Sequence, residues 1–175
     1  MCINKNEELL PYYEKAKKVL KYNQDTGELN WRENYSPKSR KDGLAGSVNG
    51  TGYIQIGLTI NGKPRILYAH RIIWYIVHGE LPNVIDHINM DKSNNSIKNL
   101  RSCTQQENEF NKARKKNGTS VHKGVSWHKT SGKWTSQITY NGKSTYLGLF
   151  NCQKKASQAY KAKSRELHGE FYNGN

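Results

Sequence analysis

The stretch YAHRIIWYIVHGELPNVIDHINMDKSNNSIKNLRSCTQQEN, Tyr68 to Asn108, decides the reading of this chain. Its opening, HRIIWYIVHG (70–79), is apolar nearly all round and ends in Gly79, as a buried helix with a left-handed C-terminal glycine does. Asp86-His87 then follows a strand-like run and precedes a polar loop. Asn99 and Asn108 fall on a second strand or turn and on a helix, so these side chains can converge. A carboxylate, an amide oxygen and one imidazole are what single-metal phosphodiester hydrolysis requires. The oxygens hold a hard cation, and the imidazole takes the proton of a water. The same residue types have an ordinary reading too, because Asp-His pairs arise by chance and Asn-rich runs close local turns. Residue types alone leave both readings open.

Upstream of this stretch, GYIQIGLTINGKPRILYAH alternates apolar and polar residues on both sides of Asn61-Gly62, a strong hairpin signal, and predicts strands near 52–60 and 63–69. Glu7 to Lys21 reads as a helix, followed by a turn at Asn23–Gly27 and a strand around Glu28–Arg32. Downstream, KWTSQITYNGKSTYLGLF repeats the hairpin chemistry, with strands near 133–140 and 143–149 joined through Asn141-Gly142 and an earlier strand at 123–128. Gln153 to Leu167 reads as an amphipathic helix stopped by Gly169.

Charge divides the chain. Residues 1–111 hold 15 Lys and Arg against 12 Asp and Glu, whereas residues 112–175 hold 13 against 2 and so carry most of the net charge of +14. Between Lys112 and Arg165 there is no carboxylate, which suits a surface that tracks phosphates, where an acid would repel the ligand. KARKKNGTS at 112–120 has the composition of a basic linker. No run approaches ~20 apolar residues, and the N-terminus lacks the pattern of a signal peptide, so the expectation is a protein of the reducing cytoplasm with no membrane partner. Cys2, Cys103 and Cys152 are odd in number and far apart, supporting neither a disulfide framework nor a thiolate zinc site.

The run from Tyr68 to Asn108 closely resembles the HNH family of phage and intron homing endonucleases. The likeness extends to LKYNQDTGELNW (20–31) and GSVNGTGYIQI (46–56), which look like the part that often precedes this motif in phage proteins. The resemblance implies that Asp86 and Asn108 are the metal ligands, for Mg²⁺ or Mn²⁺, and that His87 is the general base. It further implies that Asn99 orients the imidazole. His70 and Arg71 match an Ala-His-Arg element of the family and are read as packing or phosphate-positioning residues. Asn94 and Asn95 are read as turn residues.

SVHKGVSWHKTSGKWTSQITYNGKSTYLGLFNCQKKASQAYKAKSRELHGEFYN resembles the APETALA-type, or ethylene-response-factor, DNA-binding domain, which lays a three-stranded sheet in the major groove. Carried over by position, Lys123, Ser126, His128, Gln137, Thr139, Ser144 and Tyr146 fall where that family contacts DNA. Lys129, Lys133 and Lys143 in the turns are suited to phosphates. Several of these positions are arginine in the plant factors but Ser, Gln, Thr or His here, so the plant target sequence does not transfer. Trp127, Trp134, Leu147 and Phe150 are read as core. The expected fold is α+β. A ββα-metal HNH domain occupies 1–111, with its core at about 66–110; a basic linker covers 112–119; and a three-stranded antiparallel sheet with a helix makes up 120–175. The expected function is a metal-dependent endonuclease on double-stranded DNA, monomeric, in a bacterial host's cytoplasm if phage-encoded. The alternatives are a non-catalytic DNA-binding regulator with a decayed nuclease and, less compatible with the motifs, an RNA-binding accessory protein.

Overall fold

The computed structural model describes residues 5–33, 43–112 and 119–172; Cys2 and most of the expected linker lie outside the described residues. Two compact units divide the chain, Met1–Cys103 and Thr104–Asn175. No helix among the described residues is long and apolar enough to cross a membrane.

The first unit begins with α1 (Lys5–Val19), followed by β1 (Leu20–Tyr22) and β2 (Leu29–Trp31), which pair antiparallel. The sequence reading carried α1 on to Lys21. The chain leaves the helix at Leu20 because Leu20 and Tyr22 enter register with Trp31 and Leu29. Next come β3 (Ser47–Val48), β4 (Ile54–Ile60) and β5 (Lys63–Tyr68), a three-stranded sheet in the order β3-β4-β5, then α2 (Ala69–His78). Asn61 and Gly62 close the β4–β5 hairpin with φ of 48° and 74°, the left-handed pair that a two-residue turn of this hand needs. Ile56, Leu58 and Leu67 alternate onto the buried face and meet Tyr12, Tyr13, Ala16 and Val19 of α1 and Ile72, Ile73 and Trp74 of α2. Arg71 ties this packing together, donating to Asn6 Oδ1 at 3.0 Å, Pro82 O at 3.1 Å and Tyr13 Oη at 3.3 Å. Its guanidinium is thus a structural strap. The unit ends in the hairpin of β6 (Val84–His87) and β7 (Leu100–Cys103).

The second unit contains α3 (Gln105–Asn111), β8 (Val125–His128), β9 (Lys133–Tyr140), β10 (Lys143–Phe150) and α4 (Gln153–His168), with sheet order β10-β9-β8. Val125, Ile138, Ala156, Tyr160 and Phe171 are its buried apolar residues. Trp134 and Phe150 are half-buried beside them, but Trp127, expected in the core, is 41% exposed and meets Trp134 edge-on at 5.1 Å. Val125 fills the buried position of β8 instead. The reading of the sequence placed residues 104–111 with the first domain, whereas α3 groups with the second unit. Two contacts account for this. Phe110 stacks on the His168 ring with centroids 3.7 Å apart, and the Lys123 ammonium donates to the carbonyls of Glu109, Phe110 and Lys112 at 3.1, 2.9 and 2.8 Å.

Candidate functional site

Antiparallel register in the β6–β7 hairpin sets Asp86 opposite Arg101 and His87 opposite Leu100. Arg101 therefore reaches Asp86 directly, with Nε and Nη2 at 3.0 and 2.8 Å from Oδ2. Asp86 and His87 are both buried. The His87 ring meets Asn95, whose Oδ1 lies 3.0 Å from Nε2. The same amide donates through Nδ2 to Ser93 O at 3.3 Å, which turns its oxygen toward the ring. An amide oxygen only accepts, so Nε2 carries the hydrogen and the lone pair of the neutral ring sits on Nδ1. Burial pushes the imidazole pKa down, opposed by the Asn95 bond and by the charge of Asp86. At neutral pH the ring is a neutral base.

The sequence reading assigned the ring contact to Asn99. Asn99 closes the loop instead: its Oδ1 accepts from Asn89 N at 3.0 Å and its Nδ2 donates to Asn94 O at 2.8 Å. The physical reason is the 3-10 turn Ile97–Asn99, which places this amide across the neck of the loop, while Asn95 is buried at 2% exposure on the His87 side. Asn94 is the turn residue it was read as, accepting from Ser96 N at 3.2 Å. Asn108 lies on α3, in the second unit. Arg101 and Asn95, which contact Asp86 and His87, were not among the candidates read from the sequence. Arg101 becomes visible only once the register of β6 and β7 is known, and Asn95, which also matches the family pattern, was read as a turn residue.

Rings wall the site. His70 lies edge-on to His87 at 5.1 Å and stacks on Tyr68 at 5.5 Å, with Tyr53 at 5.4 Å from His70 and 5.9 Å from His87. Burial first, then the neighbouring His87 and Arg71, holds the His70 pKa down at about 3. In the second unit, burial and then Lys123 lower the pKa of His168 to about 4. Unfolded, both rings bind a proton near their ordinary value of 6.5, so the unfolded chain holds more protons at lower pH. Stability is therefore expected to be level above pH ~6.5 and to fall as pH drops toward 3–4. Thermal melts at pH 7.5, 6 and 4.5 check this, and a His168→Phe variant is expected to flatten the decline for the second unit.

The β8–β10 sheet turns one face to α4. From the register and burial pattern, the other carries Ser126 and His128 on β8, Lys133, Gln137 and Thr139 on β9, and Ser144 and Tyr146 on β10. These are seven of the ten residues expected to meet the bases or phosphates of DNA. Tyr146 is 60% exposed, and Thr139 Oγ1 bonds Ser144 Oγ at 2.8 Å. Lys143 is exposed at the hairpin end but sits opposite Tyr140, in register with the α4 side. Lys123 departs further, since its ammonium is engaged by three carbonyls at the C-terminal end of α3 and half-buried, with its pKa lowered by that burial.

Residues 67–110, which span α2, the β6–β7 hairpin and α3, match the HNH endonuclease family. Over 104 residues the chain is 33% identical to Protein 3.8 of Escherichia phage T7, covering 58% of this chain and 85% of that protein. The chain belongs to the HNH endonuclease family. An uncharacterized HNH endonuclease of Acanthamoeba polyphaga mimivirus is 32% identical over 108 residues, 60% of this chain and 55% of that one. Similarity also extends to the AP2-like ethylene-responsive transcription factor ANT of Arabidopsis thaliana, 30% identical over 91 residues, 47% of this chain and 16% of that protein. Among solved structures, that of the HNH homing endonuclease I-HmuI, described as showing DNA binding and cleavage, is 25% identical with a TM-score of 0.43, covering 57% of this chain and 54% of that one. The residues matched to this HNH family include His87, on β6.

Proposed function

We propose that the protein is a metal-dependent DNA endonuclease whose exposed β8–β10 face binds double-stranded DNA. The observation that supports the chemistry is a buried His87, neutral at pH 7, whose Nε2 is tied to Asn95, beside the carboxylate of Asp86. His87 takes the proton of a water whose oxygen attacks the phosphorus. The P–O3′ bond breaks and the leaving 3′ oxygen takes a proton from solvent, giving a 5′-phosphate and a 3′-hydroxyl. By the family resemblance, Asp86 and Asn108 would hold Mg²⁺ or Mn²⁺, since a carboxylate and an amide oxygen suit a hard ion bound through few protein groups. That ion supplies stabilisation of the charge developing on the 3′ oxygen. Arg101 shares the Asp86 carboxylate and keeps it oriented. A monomer and the cytoplasm of a bacterial host fit this reading, the latter supported by the phage relative.

The charge imbalance of residues 112–175 and the similarity to an AP2-like factor support DNA targeting by the second unit. Lys133→Ala is expected to weaken DNA binding and lower the salt slope by about one ion, whereas Lys123→Met leaves the slope unchanged. Equal slopes for the two variants would remove Lys133 from the interface.

A second reading, a DNA-binding regulator without catalysis, is favoured by one feature, the engagement of Asp86 by Arg101. Supercoiled-plasmid cleavage in Mg²⁺ or Mn²⁺, with EDTA as control, separates the two. Metal-dependent nicked or linear product supports the nuclease. A gel shift without cleavage in either metal makes the regulator the better reading.

A further inference from the structure

The β1–β2 hairpin lies outside the chemistry described so far, yet it touches the loop that aims the base. Tyr22 Oη accepts a hydrogen bond from Ile97 N at 2.9 Å, across 75 residues of sequence. Gly27, with φ of +77°, lies so close to the same loop that a Cβ on it would fall 2.5 Å from Ser96 N and 3.0 Å from Asn95 C. Both neighbours are backbone, so no side chain can give way. The two contacts bracket Asn95-Ser96-Ile97, and Asn95 is the residue bonded to His87 Nε2.

The hairpin is itself firmly built. Leu20 and Leu29 are in the core, Gly27 N donates to Asn23 O at 2.9 Å, and Arg32 N donates to Val19 O at 2.9 Å. The loop, in contrast, exposes Asp91, Lys92, Ser93 and Asn94. Its opposite flank is held by Lys92, whose ammonium donates to Thr51 O at 3.1 Å and stands 4.7 Å from the Tyr53 ring centre. That tie uses a long exposed side chain, a weak restraint compared with a backbone contact.

We propose that Tyr22 and Gly27 are positioning residues of the nuclease site: the hairpin braces the Asn95 loop and thereby sets the tautomer and aim of His87. This rests on the nuclease reading above for its kinetic consequence but not for its structural one. Groups that orient a reacting imidazole change activity by about 10- to 100-fold when lost.

The test uses the full chain and Tyr22→Phe, which removes only the hydroxyl. With plasmid substrate and Mg²⁺, the expected result is a fall in kcat of about 10- to 100-fold with KM unchanged. Nitrogen-15 spectra of the His87 ring are expected to show the Nε2–H form in the wild type and a mixture of both tautomers in Tyr22→Phe, as in an Asn95→Ala control. Gly27→Ala is expected to do the same. If that variant does not fold, Tyr22→Phe still decides. A wild-type ring spectrum in Tyr22→Phe overturns the brace, including when the melting temperature falls, because that is what a merely structural tyrosine gives. If the wild type cuts no plasmid, the nuclease reading falls and the ring spectra alone decide the brace.

Discussion

His87→Ala is expected to lose metal-dependent plasmid cleavage by a factor of about 10² to 10⁴ while retaining gel-shift affinity for the same DNA. The size follows from what a positioned base contributes to proton transfer at neutral pH. Burial lowers the ring's pKa, which favours the neutral form of the base before substrate arrives. Alanine also empties a buried position, and His87→Gln separates that effect. Glutamine keeps a side chain that can bond Asn95 but has no basic nitrogen, so it is expected to melt near the wild-type temperature and still not cut. Added imidazole is expected to restore part of the cleavage in His87→Ala and none in His87→Gln, where the side chain fills the space. Cleavage by His87→Gln at the wild-type rate would remove His87 from the chemistry.

Gly124→Ala is expected to unfold the second unit while sparing the first. Gly124 has φ of +70°, and a Cβ there would lie 2.0 and 2.1 Å from ring carbons of Tyr160 and 2.7 Å from Gln137 O. Tyr160 is buried on α4 and cannot swing aside without opening the contact between α4 and β9. A left-handed non-glycine residue costs about 1–3 kcal/mol, and overpacking a similar amount again. A unit of this size has only about 3–5 kcal/mol to lose. The tryptophans report separately, since Trp31 and Trp74 are in the first unit and Trp127 and Trp134 in the second. Denaturant titration followed by fluorescence is expected to show a new early transition in Gly124→Ala, with DNA affinity falling alongside. A single wild-type transition would show that the close approach is not rigid.

The elements most legible in the sequence were those written by local rules. Asn-Gly between alternating runs located both long hairpins to within two residues, and Gly79 and Gly169 marked where α2 and α4 stop. His87 and Asp86 could be singled out as candidates because they sit side by side in one motif. What local rules could not supply was long-range pairing. Arg101 meets Asp86 through strand register, Asn95 turns to His87 because Asn99 is taken by backbone groups, and Lys123 is drawn to the end of α3. The placement of α3 was likewise hidden: a capping box of Thr104 and Glu107 marks its start, but nothing local says that Phe110 will lie on His168.

That placement bears on how such proteins exchange parts. A recombination event in the lysine-rich stretch after Lys112 would strand α3 without the Phe110–His168 stack and the Lys123 cap that hold it. A workable chimera takes its crossover between Cys103 and Thr104, and so carries Asn108 along with the incoming module. The α3 segment is thus inherited with the module it packs in and not with the hairpin that precedes it in the sequence.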